Sequence, residues 1–393
     1  MKKLLFVVLI IMFGCSSDEE EVLDESCVPE TDQTNINASL NTIPQCMTQI
    51  ENGSAMSLLN EFVTFNNGEA IEMFDTDEIE TWGTNIARII QFITLDVEGW
   101  DDDGDGWWDD VEWVGDTYQF DFLENRGTYT WNPWSDTYDV NLGGNSINIE
   151  FPSSPNENSN NATFRMSEYV DYQWQPNDGN EVVYWPTSMY CELEVDDEVI
   201  FSIDHSASFN DSFEIDGEEV PNSISIEVFI NPATIQLQAE RENNMFFSAG
   251  LSINSSTCSI SADIETQLLT TNYTDILNDG DSWMEDMDYI SLDISVEDLT
   301  LDGILNCQVL DDLSDGDDPS IDDMNTAGTV DVIYQGNETA SLKLVETDPD
   351  EVSLYIVYCD DSQESVSEYI NPLMNSVETV LYPYAGSWWD NID

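Results

Sequence analysis

From Ile147 onward apolar and polar residues alternate along most of the chain. A period of two commits a segment to strands that bury one face and wet the other. Ile147, Ile149 and Phe151 share a face, as do Cys191, Leu193 and Val195. A longer row follows in Val199, Phe201, Ile203, His205, Ala207 and Phe209. Further rows are Ile224 to Ile230, Ile235 to Ala239, Met245 to Ile253, and Ile260 to Ile264. Rows of this length suit a broad antiparallel sheet packed on one side. Ala340 to Val345 and Val352 to Tyr358, joined through Asp348-Pro349-Asp350, read as a hairpin.

Helical spacing appears only near the two ends. Ile43, Met47, Ile50, Leu58, Leu59, Phe62 and Phe65 suggest one or two helices interrupted around Gly53. Asp75 to Glu78 offers N-caps for Ile79, Trp82, Ile86, Ile89 or Ile90, and Ile93. Asn371-Pro372 reads as the start of a closing helix, with Leu373, Val377, Val380 and Leu381 on one side. The expected fold class is α+β, mainly β: N-terminal helices, a broad antiparallel sheet, and a C-terminal hairpin and helix. No internal repeat is visible. The expected order is a helical segment at 43–95, a loop region at 96–116, a β body at 117–310, an acidic loop at 311–325, and a hairpin and helix at 326–393 on the same body. A domain boundary near Asp318 is the alternative to one continuous body.

Charge decides which partners the chain can take. It carries 82 acidic residues against 7 basic ones, a net charge of -75. Binding to a phosphate backbone depends on lysine and arginine to release counterions, so nucleic acid is not a natural partner. Anionic lipid headgroups are excluded for the same reason. Self-repulsion on this scale calls for screening by salt or divalent cations. Hydrophobic residues still make up 41% and aromatics 11%, enough to build a core rather than a disordered acidic chain.

The first residues indicate how the chain is handled by the cell. Lys2 and Lys3 precede an apolar run from Leu4 to Phe13, and Gly14-Cys15 follows. That run suits a signal peptide at 1–14 and is too short to span a bilayer. Met12-Phe13-Gly14-Cys15 resembles the lipobox of bacterial lipoproteins, although Met12 and Phe13 are less usual there. The resemblance implies that Cys15 becomes the acylated N-terminus, with enough acyl chains for stable membrane anchoring. Cys15-Ser16-Ser17 followed by Asp18 to Glu21 is similar to the acidic export signal of surface-exposed lipoproteins of Bacteroidota. What this implies is an outer-membrane, cell-surface location. A secreted protein cut elsewhere, or a plain solvated linker, are the alternatives. Residues 15–42 read as an acidic tether.

Asp101 to Glu112 fits a twelve-residue calcium loop position by position. Asp101, Asp103 and Asp105 take positions one, three and five, Gly106 makes the turn, and the Trp107 carbonyl takes position seven. Asp109 serves position nine, through a water where needed, and Glu112 closes the loop with both oxygens. Oxygen ligands alone suit calcium over zinc or copper. The loop resembles EF-hand-like loops of extracellular proteins, in the manner of dockerins. Gly115 follows Glu112 too closely for a normal exiting helix. Seven carboxylates in twelve residues repel one another without a cation, so ion binding is expected to be part of folding. The expected affinity is weak, roughly 10⁻⁴ to 10⁻³ M, and the role structural. Asp275 to Asp286 and Asp311 to Asp322 place Leu277 and Leu313 at the third ligand position and read as turns.

With Cys15 acylated, Cys27, Cys46, Cys191, Cys258, Cys307 and Cys359 remain. They allow three disulfides in fifteen connectivities, or free buried thiols. His205 is the only histidine, on an apolar row, and there is no GxSxG, P-loop or HExxH. Trp107, Trp108, Trp113, Trp131 and Trp134 gather around the calcium loop and the next hairpin. Trp108, Trp113, Trp131 and Trp134 are candidates for stacking on sugar rings, and core packing is the competing reading. The expected function is that of a calcium-binding surface lipoprotein that binds or supports a glycan or an envelope protein, and the sequence leaves catalysis undecided. A carboxylate-dependent hydrolase and an envelope assembly or lipid-transfer accessory are the alternatives.

Overall fold

The computed structural model describes residues 29–58, 122–132, 134, 137–154, 157, 159–174, 183–209, 214–215, 218–271, 286–314, 320–348 and 351–366. The chain divides into two compact units, residues 52–234 and residues 1–51 together with 235–393. We call them the inner and the terminal unit. The fold is mainly β with a few helices. Two helices come first, α1 (Pro29–Leu40) and α2 (Thr42–Glu51), and both belong to the terminal unit.

The inner unit opens with the short helix α3 (Phe122–Asn125). Its strands are β1 (Gly127–Asn132), β2 (Thr137–Leu142), β3 (Ile147–Phe151), β4 (Ala162–Trp174), β5 (Val183–Val195) and β6 (Glu198–Ser208), then the small pair β7 (Glu214–Ile215) and β8 (Glu218–Glu219), and β9 (Ser223–Ile230). They are ordered β9-β6-β5-β4-β3-β1-β2. The alternation read in the sequence sets the inward face: Phe164 lies opposite Leu193 and Ile149, and Met166 opposite Cys191 and Ile147. Phe151, Phe164 and Met166 are fully buried there. The turn between β5 and β6 places both Asp196 and Asp197 at positive φ, 53° and 67°, the backbone hand that lets two residues reverse a twisted hairpin. The sheet departs from the expected antiparallel form where β1 pairs with β3 in parallel.

The terminal unit continues with β10 (Ala233–Asn243), β11 (Phe246–Asn254), β12 (Ser259–Leu268), β13 (Met287–Val296) and β14 (Leu299–Asn306). Then come α4 (Cys307–Ser314), α5 (Ile321–Met324), β15 (Gly328–Tyr334), β16 (Asn337–Asp348), β17 (Glu351–Tyr358) and β18 (Gln363–Ser365). Strands β10 to β18 follow one another in order, each antiparallel pair from β11 to β18 formed by sequence neighbours. The expected hairpin is β16 and β17. Helices cover the apolar face: Ile36 of α1 packs among Leu299, Val332 and Leu342, and Val309, Leu310 and Leu313 of α4 lie against Ile290 and Leu305. α5 starts in a capping box between Ser320 and Asp323, and the Asn325 amide then exchanges two hydrogen bonds with the Leu344 backbone.

Three segments differ from the sequence expectation. The chain is already helical at Pro29, inside the span assigned to the tether, because Ile36 and Leu40, one turn apart, anchor an otherwise polar α1. α4 and α5 occupy parts of the span assigned to an acidic loop, since Val309, Leu310 and Leu313 give α4 an apolar side to pack. The unit boundaries fall at 51/52 and 234/235 rather than near Asp318. A disulfide between Cys46 of α2 and Cys258, 212 residues apart, ties the N-terminal helices to the C-terminal strands. The signal peptide, the helix expected after Asp75 and the closing helix after Asn371 lie outside the described residues.

Candidate functional site

Cys15, Asp101, Asp103, Asp105, Trp107, Trp108, Asp109, Glu112 and Trp113 also lie outside the described residues. The described residues that flank 59–121, Leu58 and Phe122, pack in one buried cluster of the inner unit together with Ala55 and Trp131. Trp131 and Trp134 are described, and they separate sharply. Trp131, on β1, is 8% exposed and meets Tyr138 of β2 edge to face with centroids 5.4 Å apart. Trp134, in the connection to β2, is 95% exposed. Its backbone N–H donates to the Asn132 side chain at 3.1 Å, which holds the turn and leaves the indole in water.

The outward face of the terminal unit carries a feature that the sequence reading did not single out. Asp263 of β12 lies opposite Asp293 of β13, Asp293 opposite Asp302 of β14, and Asp302 opposite Asp331 of β15. Four carboxylates thus form one row across adjacent strands spaced about 4.8 Å apart. Like charges directly opposite each other oppose strand pairing. The row responds in two ways. At its end, Asp263 leans over Gly250 of β11, where a Cβ would stand 2.5 Å from its Oδ1 and 2.9 Å from the Gln238 amide nitrogen. In its middle, burial first and then the charges of Asp302 and Asp263 raise the Asp293 pKa, partly offset by a hydrogen bond from the Ser295 hydroxyl. Burial and then the Asp302 charge raise that of Asp331. Among the described residues no three His, Cys, Asp or Glu side chains converge as a metal ion would require. The row is therefore a strip of negative potential rather than a coordination site.

The inner unit handles its outward acids differently. Arg165 of β4 donates from Nη1 to Glu192 Oε1 at 2.8 Å and from Nε to Asn148 at 3.2 Å. The Tyr190 hydroxyl donates to the other Glu192 oxygen at 3.1 Å. Burial, then that hydrogen bond and the Glu192 charge, raise the Tyr190 pKa. Here one guanidinium and one phenol hold a carboxylate that has only like charges among its acidic neighbours.

His205 sits on the inward side of β6, opposite Met189 and Ile226, and its Nε2–H donates to the Pro186 carbonyl at 3.1 Å. That is the environment of a structural histidine. Cys46 and Cys258 are paired and Cys359 is disulfide-bonded, while Cys191 and Cys307 are free and buried. Burial pushes the Cys191 thiol up to about 12 and, with the Asp288 charge, the Cys307 thiol up to about 11, so neither is a nucleophile near neutral pH. No helix among the described residues is long and apolar enough to cross a membrane. The chain matches no protein-family model, no curated protein and no solved structure.

Proposed function

We propose that the protein is a calcium-binding lipoprotein exported to the cell surface, acylated on Cys15, with a binding or structural role toward a glycan or another envelope component. The observation that carries this reading is the complete ligand pattern from Asp101 to Glu112, downstream of a lipobox-like leader. Asp101, Asp103, Asp105, Asp109 and Glu112 would hold the ion with the Trp107 carbonyl, and the ion would neutralise carboxylates that otherwise repel. The disulfide chemistry at Cys46, Cys258 and Cys359 supports export, because such bonds persist in oxidising compartments. Trp134 supports a binding role, since an indole 95% exposed offers a whole ring face to a sugar.

Calcium titration of the mature protein, followed by calorimetry and tryptophan fluorescence, tests the reading. One saturable site in the range of roughly 10⁻⁴ to 10⁻³ M is expected, lost in Glu112→Gln. Absence of heat and fluorescence change at ten times that concentration removes the calcium assignment. Metabolic labelling with a lipid precursor tests the anchor separately: label is expected on the native chain and absent from Cys15→Ser.

A further inference from the structure

One disulfide partner can be named by elimination. Of seven cysteines, Cys46 is bonded to Cys258, Cys191 and Cys307 are free thiols, and Cys359 is disulfide-bonded. Only Cys15 and Cys27 are left to hold Cys359. Cys359 directly follows β17 and is partly buried. It lies in a tight turn: the Tyr358 carbonyl accepts from the Asp361 N–H, and the Tyr358 N–H donates to the Ser362 carbonyl, both at 2.9 Å.

Side-chain contacts bring the start of α1 to this turn. Gln33, four residues into α1, donates from Nε2 to Glu364 Oε2 at 2.8 Å, and the Tyr358 hydroxyl donates to the same oxygen at 3.1 Å. Ile36, three residues on, is buried in one cluster with Tyr358 and Val366. From Gln33 back to Pro29 is four helical rises, about 6 Å. From Pro29 back to Cys27 is two extended steps, about 7 Å. A disulfide needs its Cα atoms about 6 Å apart, and this short stretch of chain leads away from a point beside the residue that precedes Cys359. Cys15 stands fourteen residues before Pro29, against two for Cys27. A linker seven times longer lowers the effective concentration of its thiol about twentyfold, by the −3/2 power of length. The other end of the helical pair is already fixed. Cys46 of α2 is bonded to Cys258, and the Ser255 hydroxyl donates to Gln49 at 3.1 Å, so α2 is held at the turn between β11 and β12.

We propose that Cys27 is bonded to Cys359, so that α1 and α2 are stapled to the terminal unit at both ends. Closing the bond takes two protons and two electrons from the two thiols. A disulfide carrier of the exporting compartment accepts them by thiol–disulfide exchange and leaves as a dithiol. With Cys15 acylated, the free tether is then residues 16–26, with a reach of about 40 Å, and it joins the body at the turn after β17. This consequence rests on the lipoprotein reading, whereas the bond itself does not.

Peptide mapping of the unreduced mature protein tests the pairing. Free thiols are blocked with iodoacetamide in denaturant, and the chain is cut with pepsin at low pH, where disulfides do not exchange. A Cys27–Cys359 peptide is expected, with Cys191 and Cys307 alkylated. Alkylated Cys27 and Cys359, or Cys359 joined to any other cysteine, overturns the proposal. Cys27→Ser and Cys359→Ser should each open one new thiol to iodoacetamide in the folded protein and lower the urea midpoint equally. The double variant should lower it no further; additive losses overturn the proposal. Lipid labelling of Cys15 separates the two readings. Label on Cys15 beside an alkylated Cys27 sinks the bond and keeps the anchor, a Cys15–Cys359 peptide sinks both, and a Cys27–Cys359 peptide without label keeps the bond alone.

Discussion

Asp302→Asn should make the protein more stable, and the gain should depend on salt. Asp302 faces Asp293 on one side and Asp331 on the other, and it is exposed, so its interactions run through water. At about 5 Å, two unit charges in water repel by roughly 0.8 kcal/mol. Screening at about 0.15 M leaves close to half of this, and at about 1 M close to a fifth. Removing two facing pairs is then worth about 0.9 kcal/mol at the lower ionic strength and about 0.3 kcal/mol at the higher one. Urea unfolding of the disulfide-intact protein at both salt concentrations reads the difference. Asp293→Asn removes two pairs as well, but the double variant removes three rather than four. It should therefore gain less than the sum by one pair, about 0.4 kcal/mol at the lower ionic strength. The pH profile carries the same sign. Because the pKa values of Asp293 and Asp331 are raised, the folded chain takes up protons before the unfolded chain as pH falls. These two groups thus add stability on acidification, until the unfolded chain is protonated too. Asp302→Asn should flatten that rise, because it removes the charge that raises both neighbours. A gain that is absent, or equal at low and high salt, refutes the reasoning.

Trp131→Ala should cost about 3 to 5 kcal/mol in urea unfolding, as for other large-to-small core changes, whereas Trp134→Ala should change stability by less than about 0.5 kcal/mol. If both variants unfold alike, the division between core and surface indole is wrong. Iodoacetamide at pH 8 should leave Cys191 and Cys307 unmodified in the folded protein and alkylate both in denaturant, with peptide mass mapping as the readout. Native-state labelling of Cys191 at the rate of an ordinary thiol would contradict the shift to about 12.

β3, β5, β6 and β9 to β12 were legible because each keeps a period of two over much of its length, and the hairpin of β16 and β17 was legible from Asp348-Pro349-Asp350 between two such runs, whereas β1, β2, β4 and β13 to β15 were not singled out. α1 was not, because its only large apolar residues, Ile36 and Leu40, make a stripe too short to read. The Cys46–Cys258 pairing was out of reach, since spacing alone leaves every connectivity open. The aspartate row was half legible. Ala262-Asp263-Ile264, Leu292-Asp293-Ile294, Leu301-Asp302-Gly303 and Val330-Asp331-Val332 each set an outward acid between inward neighbours. That the four acids align needs the register, which depends on the turns between strands and not on any one strand. Trp131 and Trp134 stand three residues apart with the same side chain. Only the position of one on β1 and the other in the turn decides that the first packs and the second stays in water.

A chain this acidic can fold because its charge and its core occupy different positions of the same strands. Val332 is fully buried and Val330 nearly so, while Asp331 between them turns outward. The three facing pairs of the row together cost about 1.3 kcal/mol at physiological ionic strength. Burying one leucine such as Leu299 contributes about 1.5 to 3 kcal/mol, and Leu299 is 1% exposed. One inward side chain thus offsets a whole row of outward repulsion, and acids can accumulate on the outer positions with little effect on the fold. Salt or divalent ions would shorten the reach of the repulsion further. The period of two describes the architecture.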